Sequence, residues 1–172
     1  MNRCLFLDRD GVINEAMPRG EYLLHPDQFK LLPGIKELID TAKDKGYLVV
    51  VVTNQPQISR GFIDHDGVKK IHKRMKELLP QIDAVYYCPH HNLREKCECR
   101  KPLPGMLLQA GKDYSIDFSQ SYILGDSDWD IGAGKAAGTK TIFIKNEHNS
   151  EELKRCEPNY IIAELKEAES IL

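Results

Sequence analysis

Asp8 and Asp10 stand two residues apart where the apolar run Cys4-Leu5-Phe6-Leu7 ends, and Gly11 follows at once. Like charges this close repel unless a cation joins them. Further along, other polar groups follow apolar runs in the same way. Thr53-Asn54-Gln55 follows YLVVVV, and Gly125-Asp126-Ser127-Asp128-Trp129-Asp130 follows Ser121–Leu124. Arg100-Lys101 closes a stretch rich in cysteine and histidine. Asp8, Asp10 and Asp126 together suit a hard divalent cation with oxygen ligands, and Mg2+ is the usual choice where phosphate completes the octahedron. Lys101 can hold a phosphate oxygen as a point charge. The Thr53 hydroxyl and nearby backbone N–H groups can donate to the others. One carboxylate not consumed by the metal can attack phosphorus and form an aspartyl-phosphate. The second can give a proton to the leaving oxygen and then take one from water.

Each motif alone has an ordinary reading. Asp-Arg-Asp-Gly also makes a polar turn, and GDSDWD also makes an acidic helix start. It is the order of the motifs, each at the end of a strand, that points to one site.

The elements that would position them alternate. Leu5–Leu7 has the character of a short buried strand, and Tyr47–Val52 that of a strand covered on both faces. Ala84–Tyr87, Ser121–Leu124, Thr141–Ile144 and Tyr160–Ile162 complete the expected strands. Between them, Ile35, Leu38, Ile39 and Ala42 make one apolar helical face that Gly46 ends. Val68, Ile71, Met75 and Leu78 stripe a second helix over about Asp64–Leu79. Short helices are expected after Pro104-Gly105 and over Asp130–Ala137, with a last one running to Leu172, and residues 88–103 are expected to be irregular. Strands separated by helices give right-handed crossovers and a mainly parallel sheet with helices on both faces, a three-layer α/β fold. Ligands bind at the carboxyl ends of such strands, where all the polar motifs fall. Asn54, Gln55, Arg60, Arg100 and Ser127 share that edge and are candidates for contacts to substrate.

Residues 88–101 read CPHHNLREKCECRK. Cys88, His90, Cys97 and Cys99 supply three thiolates and an imidazole, which suit a closed tetrahedral Zn2+ site with no open catalytic position. Free thiols in a reducing compartment are the plain alternative. Cys4 reads as a buried small hydrophobe.

DRDG, then TNQ, then RKP, then GDxxxD resembles the haloacid dehalogenase (HAD) superfamily of phosphatases, over about residues 5–145. The resemblance implies a Rossmann-like HAD fold with Asp8 as nucleophile and Asp10 as general acid/base. It also implies that Thr53 and Lys101 stabilise the phosphoryl group. Mg2+ would lie between Asp8, Asp126 and the backbone carbonyl of Asp10, with Asp130 supporting it from behind. No insertion after Asp10 or Thr53 is long enough for a large cap domain. A zinc loop of this type marks a small group within the superfamily, acting on histidinol phosphate or on heptose 1,7-bisphosphate of bacterial heptose biosynthesis. DRDGVIN, VVVTNQPQISRG, YYCPHH and CRKPLPGML favour the heptose enzymes, while the short spacing from His90 to Cys97 is nearer the histidinol enzymes. Pro56-Gln57 and Ser127 depart from the heptose pattern, which often has Ser-Gly and a lysine there. A non-catalytic binding module and a phosphotransferase are further alternatives; retention of both Asp8 and Asp10 argues against the first.

The chain of 172 residues carries a net charge of −2, so a single domain (1–172) with no pull toward nucleic acid or membrane is expected. The apolar run near the N-terminus is too short for a signal peptide or a membrane span. A cytoplasmic monomer acting on a small phosphorylated sugar is the resulting expectation.

Overall fold

The computed structural model describes residues 1–18, 20–91 and 96–172. Part of the stretch expected to be irregular, residues 92–95, lies outside them. Six parallel strands form one sheet: β1 (Arg3–Leu7), β2 (Tyr47–Asn54), β3 (Ala84–Cys88), β4 (Tyr122–Gly125), β5 (Lys140–Ile144) and β6 (Tyr160–Ile162), in the order β3-β2-β1-β4-β5-β6. The helices are α1 (Ile35–Asp44), α2 (His65–Leu78), α3 (Gly105–Tyr114), α4 (Asp128–Ala137), α5 (Ser150–Lys154) and α6 (Leu165–Ala168). Two 3-10 turns, Pro26–Gln28 and Phe118–Gln120, add to them.

Alternation along the strands divides the core. Leu5 and Leu7 of β1 face one layer, with Ile35, Leu38 and Ile39 of α1 and Ile71 and Met75 of α2. Cys4 and Phe6 face the other, with Met106, Leu107 and Ala110 of α3 and Ala133 of α4. This is the expected three-layer arrangement, and Cys4 is the buried hydrophobe it was expected to be. Each fully buried Leu or Ile contributes roughly 1.5–3 kcal/mol relative to exposure, so the two layers hold the sheet from both sides. Among the described residues, the connection from β1 to α1 contains the Pro26–Gln28 turn and isolated bridges from Asn14 to Asp10 and Leu31.

The expected elements are present with shifted ends. Helix α4 starts at Asp128, not Asp130, because the Ser127 side chain caps it, accepting from the Asp130 N–H. The last helix stops at Ala168, short of Leu172. Helix α5 was not expected; its sequence, SEELK, has no buried residue and so no apolar stripe to reveal it.

The strand order reverses between β1 and β4: β1 leads outward to β2 and β3, and β4 to β5 and β6. A crevice opens at such a switch point beyond the carboxyl ends of the strands. The residues after β1 and β4 therefore meet there.

Candidate active site

Asp8 follows β1, and its N–H donates to the Leu124 carbonyl of β4 (3.1 Å). Asp126 follows β4, with Asp130 in the first turn of α4. Carboxylate oxygens of Asp8, Asp126 and Asp130 all lie within 4.8 Å of one another. Gly11 makes the packing possible: a Cβ there would lie 2.1 Å from Asp126 Oδ2, and its φ of +90° is one that side chains avoid.

Lys101 enters the group from the Cys/His loop and is almost wholly buried. Its Nζ donates to Asp8 Oδ1 (2.8 Å), the Val52 carbonyl (2.8 Å) and Asp130 Oδ1. All three protons are thus directed, and the ammonium is an ion-pair partner before any phosphate arrives. Asn54 fixes the same backbone, donating to the Lys101 carbonyl and accepting from its N–H, each at 3.1 Å.

Three carboxylates and one ammonium leave the cluster short of positive charge. Burial, then Asp130 and Asp10, outweigh Lys101 and push the Asp8 carboxyl up to about 6. Burial, then Asp8, Asp130 and Asp10, also raise Asp126 well above the ordinary carboxylate range. The oxygen donors and the uncompensated charge fit a hard divalent cation. A carboxyl raised on folding contributes stability that is present below pH ~4 and lost as pH rises through about 6. A cation bound between the carboxylates returns it. Mg2+ is therefore expected to raise the melting temperature by several degrees more at pH 7.5 than at pH 5. Thermal melts in EDTA and in excess Mg2+ at both pH values check this; equal shifts would overturn it.

Asp10 is not a member of this carboxylate group. Arg9 donates to it from Nε (3.2 Å) and Nη2 (3.1 and 2.8 Å), Asn14 Nδ2 donates at 2.9 Å and Gln55 Nε2 at 3.1 Å. Burial acts upward on its pKa, but Arg9 and the Asn14 and Gln55 hydrogen bonds outweigh it and hold the carboxyl below its ordinary range. Gln55 also donates to the Thr53 hydroxyl (2.9 Å).

A cleft of about 250 Å3 reaches Asp10 between Met17, Tyr22, Asn54, Arg100 and Trp129. A second, of about 370 Å3, runs along Lys96, Arg100, Leu103 and Trp129. Arg100 and Trp129 form the wall between them, with the guanidinium 4.8 Å above the indole. Arg100 also donates to the His90 carbonyl (3.0 Å).

Cys88, His90, Cys97 and Cys99 converge as their spacing suggests. Cys88 Sγ lies 3.7 Å from Cys97 Sγ and 2.9 Å from Cys99 Sγ, while His90 Nδ1 is 3.5 Å from Cys88 and 3.3 Å from Cys99. Ligands about 2.3 Å from a tetrahedral ion sit about 3.8 Å apart; the Cys88–Cys97 pair matches this and the Cys88–Cys99 pair is closer, and three thiols with one imidazole are the donor types of a closed metal site.

Three candidates for substrate contacts stand elsewhere than expected. Gln55 is completely buried and holds Asp10 and Thr53 from inside. Ser127 donates to Asp130 Oδ2 (2.6 Å) as it caps α4. Arg60 is exposed and donates to the Tyr22 hydroxyl (2.7 Å), standing behind a residue that lines the cleft. Arg9, Asn14, Tyr22 and Trp129 contribute to the site without having been singled out from the sequence.

Comparison with known proteins agrees with this geometry. The HAD-hydrolase-like family matches residues 98–168. A D-glycero-beta-D-manno-heptose-1,7-bisphosphate 7-phosphatase of Pasteurella multocida is 36% identical, spanning 100% of this chain and 97% of that one. The D-glycero-alpha-D-manno-heptose-1,7-bisphosphate 7-phosphatase of Burkholderia mallei is 40% identical over 83% of this chain and 79% of its own. A crystal structure of the D,D-heptose 1,7-bisphosphate phosphatase of B. bronchiseptica, complexed with magnesium and phosphate, superimposes with a TM-score of 0.88 at 30% identity, covering 98% of this chain and 97% of that one.

Proposed function

The chain belongs to the D-glycero-D-manno-heptose-1,7-bisphosphate 7-phosphatase family of HAD-like hydrolases, and we infer that it removes the 7-phosphate of this sugar bisphosphate by way of a phosphorylated Asp8. The observation that carries this reading is the placement of Asp8. It ends β1 at the switch point, in contact with Lys101 and grouped with Asp126 and Asp130, beside a cleft that reaches Asp10.

Asp8 and Asp126 would hold Mg2+, with Asp130 beside them bonded to Lys101 and Ser127; the ion would supply charge neutralisation to the phosphate oxygens. Cys88, His90, Cys97 and Cys99 would hold Zn2+ through four protein donors, a set that leaves no place for substrate or water and would give the ion a structural role. An Asp8 carboxylate oxygen attacks phosphorus, and the bond from phosphorus to the sugar O7 breaks. Asp10 gives its proton to that oxygen, and heptose 1-phosphate leaves. Asp10, now a carboxylate, takes a proton from water as the water oxygen attacks phosphorus. The bond to Asp8 breaks and inorganic phosphate is released. Clamped by Arg9, Asp10 is held ionised, the form the second step needs. An incoming phosphate dianion raises its pKa, the direction the first step needs. Lys101 and the Thr53 hydroxyl stabilise the transferring group.

Arg100 is placed to grip the second phosphate, since it lines both clefts and a guanidinium binds phosphate through two parallel N–H groups. Heptose 1,7-bisphosphate is expected to be preferred over fructose 1,6-bisphosphate and histidinol phosphate. Arg100→Ala should raise KM for it by about tenfold, the loss of one charge-assisted contact. The same variant should hydrolyse p-nitrophenyl phosphate almost as the wild type does. Steady-state kinetics over this panel tests the reading; a clear preference for histidinol phosphate would overturn the substrate assignment.

A further inference from the structure

Arg9 enters the chemistry above only as the clamp on Asp10, and its side chain is 0% exposed. A buried guanidinium is tolerated only when its charge is paired and its donors are met. Nε and Nη2 meet Asp10. Nη1 lies 3.2 Å from Nε2 of His72, on α2. A guanidinium only donates, so Nε2 must be the acceptor and His72 must be neutral, with its proton on Nδ1. Burial, then the Arg9 charge, push the His72 pKa down to about 3, which keeps the ring in that form. The ring is fixed in turn: it packs edge-on against Tyr87 of β3 at 5.4 Å.

The chain of contacts runs from α2 through His72 and Arg9 to both oxygens of Asp10. We infer that His72 is a positioning residue for the acid/base carboxylate: by accepting from Nη1 it locks the Arg9 fork, and the fork sets where Asp10 delivers and collects its proton. This rests on the reading of Asp10 as acid and base. Asn14 and Gln55 also hold Asp10, but each through one donor on a side chain with rotatable bonds of its own. The Arg9 fork engages both oxygens, and among the described residues its side-chain partner apart from Asp10 is His72.

Three variants separate the acceptor from the ring. His72→Phe keeps the packing on Tyr87 and removes the acceptor. His72→Asn draws the acceptor back from Arg9. His72→Gln puts an amide oxygen near the place of Nε2. General acid–base catalysis is worth roughly 10²–10⁴-fold, and misplacing Asp10 forfeits part of that. With heptose 1,7-bisphosphate, His72→Phe and His72→Asn are expected to lower kcat by about 30-fold, with KM and the Mg2+ titration midpoint within about threefold of wild type. His72→Gln should recover most of kcat. With p-nitrophenyl phosphate, whose leaving group needs no proton, His72→Phe should still release the first equivalent of nitrophenol rapidly. Only the later turnover, in which Asp10 must activate water, should slow.

Unchanged turnover in both His72→Phe and His72→Asn would show that Asn14 and Gln55 suffice and would overturn the inference. So would a His72→Gln variant as poor as His72→Phe, since packing and not the acceptor would then be responsible. A first equivalent slowed in step with turnover would mean a disturbed phosphate site and would overturn it equally. A wild type that releases phosphate from neither compound would overturn the phosphatase reading itself and this inference with it.

Discussion

Asp8→Asn is expected to lose about 10³-fold or more in kcat while leaving the chain more stable without metal. The loss follows from the role: an amide keeps the shape of the carboxylate but is no nucleophile, and the covalent route closes. The gain follows from the environment. Asp8 sits among Asp126, Asp130 and Asp10, its carboxyl raised from 3.8 to about 6, with burial the largest cause. Each pKa unit corresponds to about 1.4 kcal/mol, so ionising Asp8 in the fold costs up to about 3 kcal/mol at neutral pH. A neutral side chain avoids that cost. Its oxygen can still accept from Lys101, which keeps Asp130 as ion-pair partner. In EDTA at pH 7.5 the variant should melt above the wild type, and Mg2+ should raise its melting temperature less. An inactive variant that is also destabilised would leave misfolding as the explanation. Activity within about tenfold of wild type would remove Asp8 from the nucleophile's role.

Much of this site was legible because its members are local. Asp8 and Asp10 are neighbours in sequence, Asp126 and Asp130 share one turn, and each pair ends a run whose β-branched or apolar residues announce a buried strand. Once the sheet is inferred, the strand ends must meet at one edge. The four metal-site residues between Cys88 and Cys99 were legible for a related reason: soft donors so close in sequence can reach one ion. What the sequence did not disclose are contacts between distant elements. Arg9 and His72 are separated by |i−j| = 63, and no spacing rule links a β1 loop to the middle of α2. Tyr22 and Trp129 likewise become cleft residues only when the loop after β1 folds across the start of α4. For the substrate candidates Gln55 and Ser127, position at the sheet edge does not say which way a side chain turns. Gln55 turns inward to Asp10 and Thr53, and Ser127 turns to its own helix. The spacing of the Cys/His loop pointed toward the histidinol enzymes, whereas whole-chain similarity lies with the heptose phosphatases. The spacing constrains how the donors reach their ion, and that requirement is separate from substrate choice.

The metal at Cys88, His90, Cys97 and Cys99 is expected to be one zinc per chain, and its removal to disable a reaction in which it takes no part. The loop it closes carries both Arg100 and Lys101. The backbone already ties that loop to its surroundings: the Gln55 N–H donates to the Cys88 carbonyl (2.7 Å) and the Gly105 N–H to the Glu98 carbonyl (3.1 Å). Between these ties, the Cys/His cluster joins the start of the loop to its end. Without an ion, three thiols and an imidazole are crowded together. Burial, then the neighbouring Cys99 thiol, push the Cys88 thiol upward, and with no ion nothing bonds all four donors to one centre. Lys101 would then keep Asn54 and the contacts of its ammonium with Asp8, Val52 and Asp130, and Arg100 would keep His90 and Trp129, but the brace behind both would be gone. A displacement of about 1 Å in a positioning group costs about 10²-fold. Zinc-stripped protein, and Cys97→Ser or Cys99→Ser, should lose about that much in kcat/KM. Zn2+ should restore it to the stripped wild type, and excess Mg2+ should not. Structural zinc binds zinc-finger peptides with roughly 10–16 kcal/mol. Here the sheet has its own core, so stripping should lower the melting temperature without unfolding the chain. Elemental analysis of protein purified without chelator, paired with these assays, decides the matter. A fresh sample without zinc, or a Cys99→Ser variant with wild-type turnover and stability, would end the assignment.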